Sequence, residues 1–147
     1  MGFLHRAKPS GADELLDMFV ARLDHLDQAQ LLGLRASWHA ISAESHEAAW
    51  AAVRRVAKAQ KLQADVDLIR DRAMHWATRG DNRPPLYHLA MDDEMLNQVR
   101  AGAAEAIVDA ALALTLGPWL PRDAHATLIA PWDRVVGPLP SPSLQPK

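Results

Sequence analysis

The sequence contains no cysteine. That excludes a disulfide framework, a thiolate zinc site and a cysteine nucleophile. Phosphate-cradling and nucleophile-elbow patterns are missing as well: GxxxxGK[ST], GxGxxG and GxSxG occur nowhere in the 147 residues. HExxH is absent, although His46-Glu47 begins like one. An excess of either charge is lacking too. A formal charge of −2 points neither to a polyanion partner nor to a membrane surface. Aromatics are few and skewed, with five tryptophans against one tyrosine and two phenylalanines. The first sixteen residues carry no long apolar core and no small-residue cleavage site, and Arg6 stands where myristoylation wants serine or threonine. A cytoplasmic address without a membrane segment is the expectation.

What is present is rich in helix formers. Hydrophobic residues make up 49% and charged residues 23%, the balance of an ordinary globular domain, and the chain is long enough to bury a core unaided. Alanine is frequent, and it loses no side-chain entropy on entering a helix. The stretch Ala101–Leu116 organises the rest. On a helical wheel Ile107, Val108, Ala110, Ala111, Leu112 and Leu114 sweep most of the circumference, leaving Gln98, Gly102, Glu105 and Asp109 on one narrow polar stripe. A helix apolar nearly all round belongs inside a protein, and this one is too short and too acidic to span a bilayer. The expected fold is all-α: a single-domain helical bundle over 1–136, with about five to six helices around a buried Ala/Leu-rich helix at about 93–116. Residues 137–147 hold four prolines and no hydrophobic period, the composition of a disordered tail.

Taken in order, Ser10 is a helix N-cap with Asp13 and Glu14 in the first turn, opening a helix to about Leu26. Asp27 caps a second, whose apolar positions Leu31, Leu34, Trp38 and Ile41 keep helical spacing. The tight join predicts an antiparallel or sharply angled pair. Ser45 then caps a third element running to Arg79 without proline or glycine. Its apolar face turns by roughly 140° half-way, at 100° per residue. Either it breaks between Gln60 and Asp65, or one helix over about 46–79 changes packing partner; with no helix breaker in that span, the continuous helix is expected. Gly80 and Pro84–Pro85 end it and open an 80–91 loop. Asp92 or Asp93 caps the spine, which stops at Gly117–Pro118. A short helix from Arg122 to Ile129 and a separate turn opened by Pro131 close the bundle, with Trp119 and Trp132 as end plugs.

Four groups of residues invite chemistry. Glu105 and Asp109 sit one turn apart, close enough to share a cation or raise each other's pKa. The simpler reading makes their stripe a solvent-facing or partner-facing edge, with Gly102 allowing close approach. A buried stripe facing Arg54, Arg70 or Arg72 would reverse that preference. Seven histidines are present but none pair at i, i+4, so no metal and no cofactor is assigned. Among them His75 stands out, with Asp71 one turn before it and Trp76 beside it as a pocket wall. Trp38 and Trp50 come from other segments and would complete a ligand cage, although tryptophans at helical spacing also fill cores. Finally, residues 50–79 carry seven bases and three acids against two bases and seven acids in 10–49. Arg54, Lys58, Lys61 and Arg72 share a stripe interrupted by Asp65, which argues for a solvated or internally paired face rather than nucleic-acid binding.

Two functional expectations follow. The first is a non-enzymatic interaction domain that self-associates as a homo-oligomer or takes a protein partner, using the turned face of the third helix and the small-residue stripe of the spine. The second is a small-molecule-binding protein or enzyme with a pocket between helices near Trp76, His75 and the 80–91 loop, which requires a concave site of about 300 Å³ or more.

Overall fold

The computed structural model describes residues 11–78 and 89–137. Among them the chain forms α1 (Gly11–Leu23), α2 (Gln28–Ala40), α3 (Ala43–Gln60), α4 (Gln63–Thr78), α5 (Asp93–Leu116), a 3-10 turn (Gly117–Trp119) and α6 (Arg122–Val135), with no strand. Ser10, Gly80, most of the expected 80–91 loop and the tail beyond Gly137 lie outside the described residues. No helix among the described residues is long and apolar enough to cross a membrane.

The expected all-α bundle around an Ala/Leu-rich helix is the observed one. α5 is its spine, and α1, α2, α3, α4 and α6 all pack on it. Asp92 starts the spine by accepting the Met95 N–H at 2.8 Å. Ala103, Ala106, Ala110, Ala111 and Ala113 are then wholly buried, as are Leu112 and Leu116. Alanine side chains let neighbouring backbones come close, so one helix accommodates five neighbours. The closest approach is at Gly102, where an added Cβ would sit 2.8 Å from both Cβ and Cγ of Arg35 on α2.

Of the two arrangements expected for the first two helices, a packed antiparallel pair is not formed. α1 packs on α4 and α5, α2 packs on α5 and α6, and the two barely touch each other. The turn between them is set locally by a capping box, in which Asp27 accepts the Gln30 N–H at 2.8 Å and the Gln30 side chain accepts the Asp27 N–H at 3.0 Å. α3 begins three residues earlier than expected because Ser42, not Ser45, is the cap, its hydroxyl accepting the Ser45 N–H at 3.0 Å.

The third element is two helices, which corrects the continuous helix expected over 46–79. Lys61 adopts the left-handed conformation at φ 59°, ψ 42°. Its N–H bonds to the Lys58 carbonyl at 3.3 Å and the Leu62 N–H reaches back to the Ala57 carbonyl at 2.8 Å, the two bonds of a Schellman ending. The cause is tertiary. A straight helix with its apolar face turned half-way would leave one set of side chains in water. With the break, Val53 and Ala57 are buried on α3 while Val66, Ile69 and Ala73 are buried on α4. Each large apolar side chain so buried contributes about 1.5–3 kcal/mol, against about 1–2 kcal/mol for one left-handed lysine. Burial wins.

At the other end α6 runs through Pro131 as a single helix, where a separate turn was expected. Trp132 explains why the chain continues. It is fully buried and meets Phe19 of α1 edge to face, with ring centroids 4.7 Å apart. Trp119 plugs nothing, since 46% of it is exposed.

Two stability predictions follow from these close fits. Lys61→Gly should raise the unfolding free energy by roughly 0.5–1 kcal/mol, because glycine adopts the left-handed conformation without steric penalty. Gly102→Ala should lower it by about 1–2 kcal/mol, overpacking against Arg35 outweighing the gain in helix propensity. Urea midpoints of the two variants against the parent chain check both signs.

Candidate functional site

At Gly102 and Asp109 the polar stripe of the spine is not a surface, whereas Gln98 and Glu105 are half-buried. Asp109 is 2% exposed, and two indoles from different helices meet its carboxylate. Trp38 on α2 donates its Nε1–H to Oδ2 at 2.9 Å, and Trp50 on α3 donates its own to Oδ1 at 3.2 Å. The expectation of a solvent-facing or partner-facing edge is therefore corrected: α2 covers the stripe at Gly102 and α2 and α3 together cover it at Asp109. The physical reason is that an ionisable group on a helix surrounded by neighbours can be retained only with hydrogen-bond donors of its own.

Local structure aims the two indoles. Trp38 lies in the last turn of α2, just before the two-residue link Ile41–Ser42, and α3 starts back immediately. His46 and Trp50 are one turn apart on α3, so the histidine lands on Trp38. Their rings stack with centroids 4.1 Å apart at 28°. His46 Nε2 lies 3.0 Å from the Trp38 carbonyl oxygen, which accepts only, so that nitrogen carries the proton. His46 Nδ1 is buried without a partner.

Beside this clamp lies an open cavity of about 210 Å³. Trp38 and Trp50 wall one side, Arg70, Ala73 and Met74 of α4 the other, and α5 supplies Glu105, Val108 and Asp109. Arg70 stands at the rim, its guanidinium 5.1 Å from the centre of the Trp50 ring, within the range of a cation–π contact. Trp50 and Arg70 also border two shallower grooves of about 470 and 610 Å³. The first runs between α3 and α4 along Arg54, Lys58 and Lys61; the second passes His39, His46 and Glu47.

The acids of the cavity are held above their ordinary pKa. Burial pushes Asp109 up to about 6, with Glu105 adding to the rise, and the Trp38 bond, His46 and the Trp50 bond opposing it. Burial likewise raises Glu105, opposed by His39 and His46. Two neutral N–H donors are thus too few to compensate a carboxylate taken out of water. The ion pairs among the described residues, Arg54–Glu47 at 3.7 Å and Arg72–Asp17 at 3.1 Å, involve neither acid.

Of the residues singled out in the sequence, Trp38, Trp50, Glu105 and Asp109 line this one cavity, whereas His75 and Trp76 do not. His75 is exposed near the end of α4, as is Asp71, and Trp76 is half-buried against the core. The pocket expected near His75 and Trp76 is therefore displaced along α4, to Arg70, Ala73 and Met74, because residues 75 and 76 point away from the α4 face that carries 70, 73 and 74. The expected loop contribution falls mostly on 79–88, outside the described residues. Of the basic stripe, Arg54, Lys58 and Lys61 border the groove, while Arg72 pairs with Asp17 on α1. The neighbour that sequence reading missed is His46, whose i, i+4 spacing to Trp50 was the available signal. No cluster of three or more histidines and acids among the described residues is arranged to hold a metal ion.

No family model, curated protein or solved structure matches this chain.

The raised Asp109 carries a pH signature with a definite sign. The folded chain holds its proton up to about pH 6, the unfolded chain only to about pH 4. Between those values the folded state binds more protons, so stability falls as pH rises through the window and levels off above it. Asp109→Asn removes this contribution. Relative to the variant, the parent chain should lose on the order of 3 kcal/mol between pH 4 and pH 7, read from urea denaturation across that range.

Proposed function

We propose that this protein binds a compact small molecule in the cavity between α2, α3, α4 and α5. One observation carries the reading: a buried carboxylate and two indoles converge from three helices on a single open concavity. Mostly apolar and aromatic walls with a few fixed polar groups are the usual chemistry of ligand sites between helices. At about 210 Å³ the cavity by itself falls short of the roughly 300 Å³ required above, which is reached only together with the adjoining grooves, so the group seated in the cavity is small. A larger molecule would extend over Trp50 and Arg70 into the grooves.

Binding is favoured over turnover by the lining itself. Among the described residues, the side chains lining the cavity include no serine, threonine, lysine or histidine. The nearby His46 has its Nε2–H committed to a backbone carbonyl. Asp109, the one strongly shifted group among the described residues, has both oxygens engaged by indoles. Self-association and a cytoplasmic address stand as separate proposals from the sequence. The two surfaces first assigned to self-association are used within the chain, the stripe by α2 and the turned face by the break at Lys61, so a homo-oligomer would have to use others.

The pocket reading is tested by titrating the isotope-labelled chain with small single-ring fragments and following the Trp38 and Trp50 indole N–H resonances. Fragment binding should move both. Val108→Phe fills the cavity from the spine and should weaken binding at least about tenfold while shifting the melting temperature by only a few degrees, since Val108 is only half-buried. Shifts confined to other parts of the molecule, or unaltered by that variant, would overturn the proposal.

A further inference from the structure

We infer that the group bound against Glu105 and Asp109 is an organic cation, a protonated or quaternary amine on a compact hydrocarbon or single-ring body. The inference rests on the proposed ligand cavity and specifies its ligand class. Three features of that cavity lead to it.

The first is charge. Glu105 and Asp109 stand one turn apart on α5 and both contribute to the lining, where Arg70 is the single basic side chain among the described residues. With both carboxylates ionised the cavity carries a net charge of −1, and an entering monocation neutralises it. An entering anion would be opposed by two carboxylates at partial burial, where screening by water is weak.

The second is the walls. Indole has the aromatic face best suited to a cation, and an indole bound through its N–H to a carboxylate keeps its ring faces available. Both tryptophans are fixed in this way, although one face of Trp38 is covered by the stacked His46 ring at 4.1 Å. Trp50 already takes a guanidinium over its ring, with Arg70 at 5.1 Å. An ammonium group entering the cavity must therefore share the Trp50 ring with Arg70 or displace it.

The third is the remainder of the surface. Ala73, Ala104 and Val108 offer only hydrocarbon, and Met74, 54% exposed, lies at the edge with a flexible thioether. Such walls suit the methyl, methylene or ring carbons attached to an ammonium group and supply no donors for a polyhydroxylated or phosphorylated ligand.

The test compares three probes of nearly the same shape at about pH 7.5, where Asp109 is ionised. They are benzylamine, benzyl alcohol and benzoate, titrated into the full chain with the Trp38 and Trp50 indole resonances as readout. Benzylamine should bind at least about tenfold more tightly than either of the others. Glu105→Gln and Asp109→Asn should each reduce benzylamine affinity about fivefold or more and leave benzyl alcohol within about twofold. If Asp109→Asn fails to fold, Glu105→Gln carries the test, since Glu105 is half-buried and holds no helices together through the indoles. Equal binding of amine and alcohol, tighter binding of benzoate, or amine binding insensitive to a folded variant would each overturn the cation assignment while leaving the cavity as a ligand site. If none of the three probes moves the two resonances, the assignment and the cavity reading fall together.

Discussion

A helix with almost no side left for water constrains everything around it. Once the spine is apolar through nearly its whole circumference, five other helices must cover it, and they do so at the short distances that alanine permits. The same constraint decides the fate of its polar residues. An acid placed on such a helix has to be satisfied within the protein or stay protonated, and Asp109 shows both responses, with two indole donors and a pKa displaced upward. The site is thus a consequence of the packing, assembled where the spine departs from hydrocarbon.

Much of that architecture was legible in the chain because it is local or periodic. The apolar sweep of 101–116 identified the spine, and Asp27 and the Asp92–Asp93 pair were readable as caps, since a short acidic side chain preceding an apolar period has one dominant use. What was not legible is tertiary. Lys61 has no intrinsic preference for a left-handed backbone, and nothing in Gln60–Asp65 stops a helix. The 140° change of apolar face was the visible sign, and it fitted a change of partner as well as a break. Pro131 misled in the opposite direction, since a buried Trp132 holds the helix together past a residue that usually ends one.

The site was legible as parts and not as a whole. Trp38, Trp50, Glu105 and Asp109 each drew notice, but the bonds that join the two indoles to Asp109 span 71 and 59 residues of sequence. No spacing rule reaches that far. His75 and Trp76 attracted attention because they are adjacent in the chain, yet at 100° per residue both are rotated by about 100° or more from Arg70 and Met74, which line the cavity. Charge adds little to holding the bundle together. Arg54–Glu47 and Arg72–Asp17 are largely exposed, and such pairs contribute about 0–1 kcal/mol.

The close approach at Gly102 fixes more than a distance. One helical turn toward either end of the spine, the position under Arg35 would be Gln98 or Ala106, both of which carry a Cβ. Gly102 therefore acts as a detent against sliding: displacing α2 by a turn, about 5.4 Å along its axis, brings a side chain beneath Arg35. It also takes the Trp38 indole out of reach of the carboxylate it meets at 2.9 Å. A residue with no side chain thus sets the axial register of two helices, and through it the width of the cleft that their aromatic and acidic groups define.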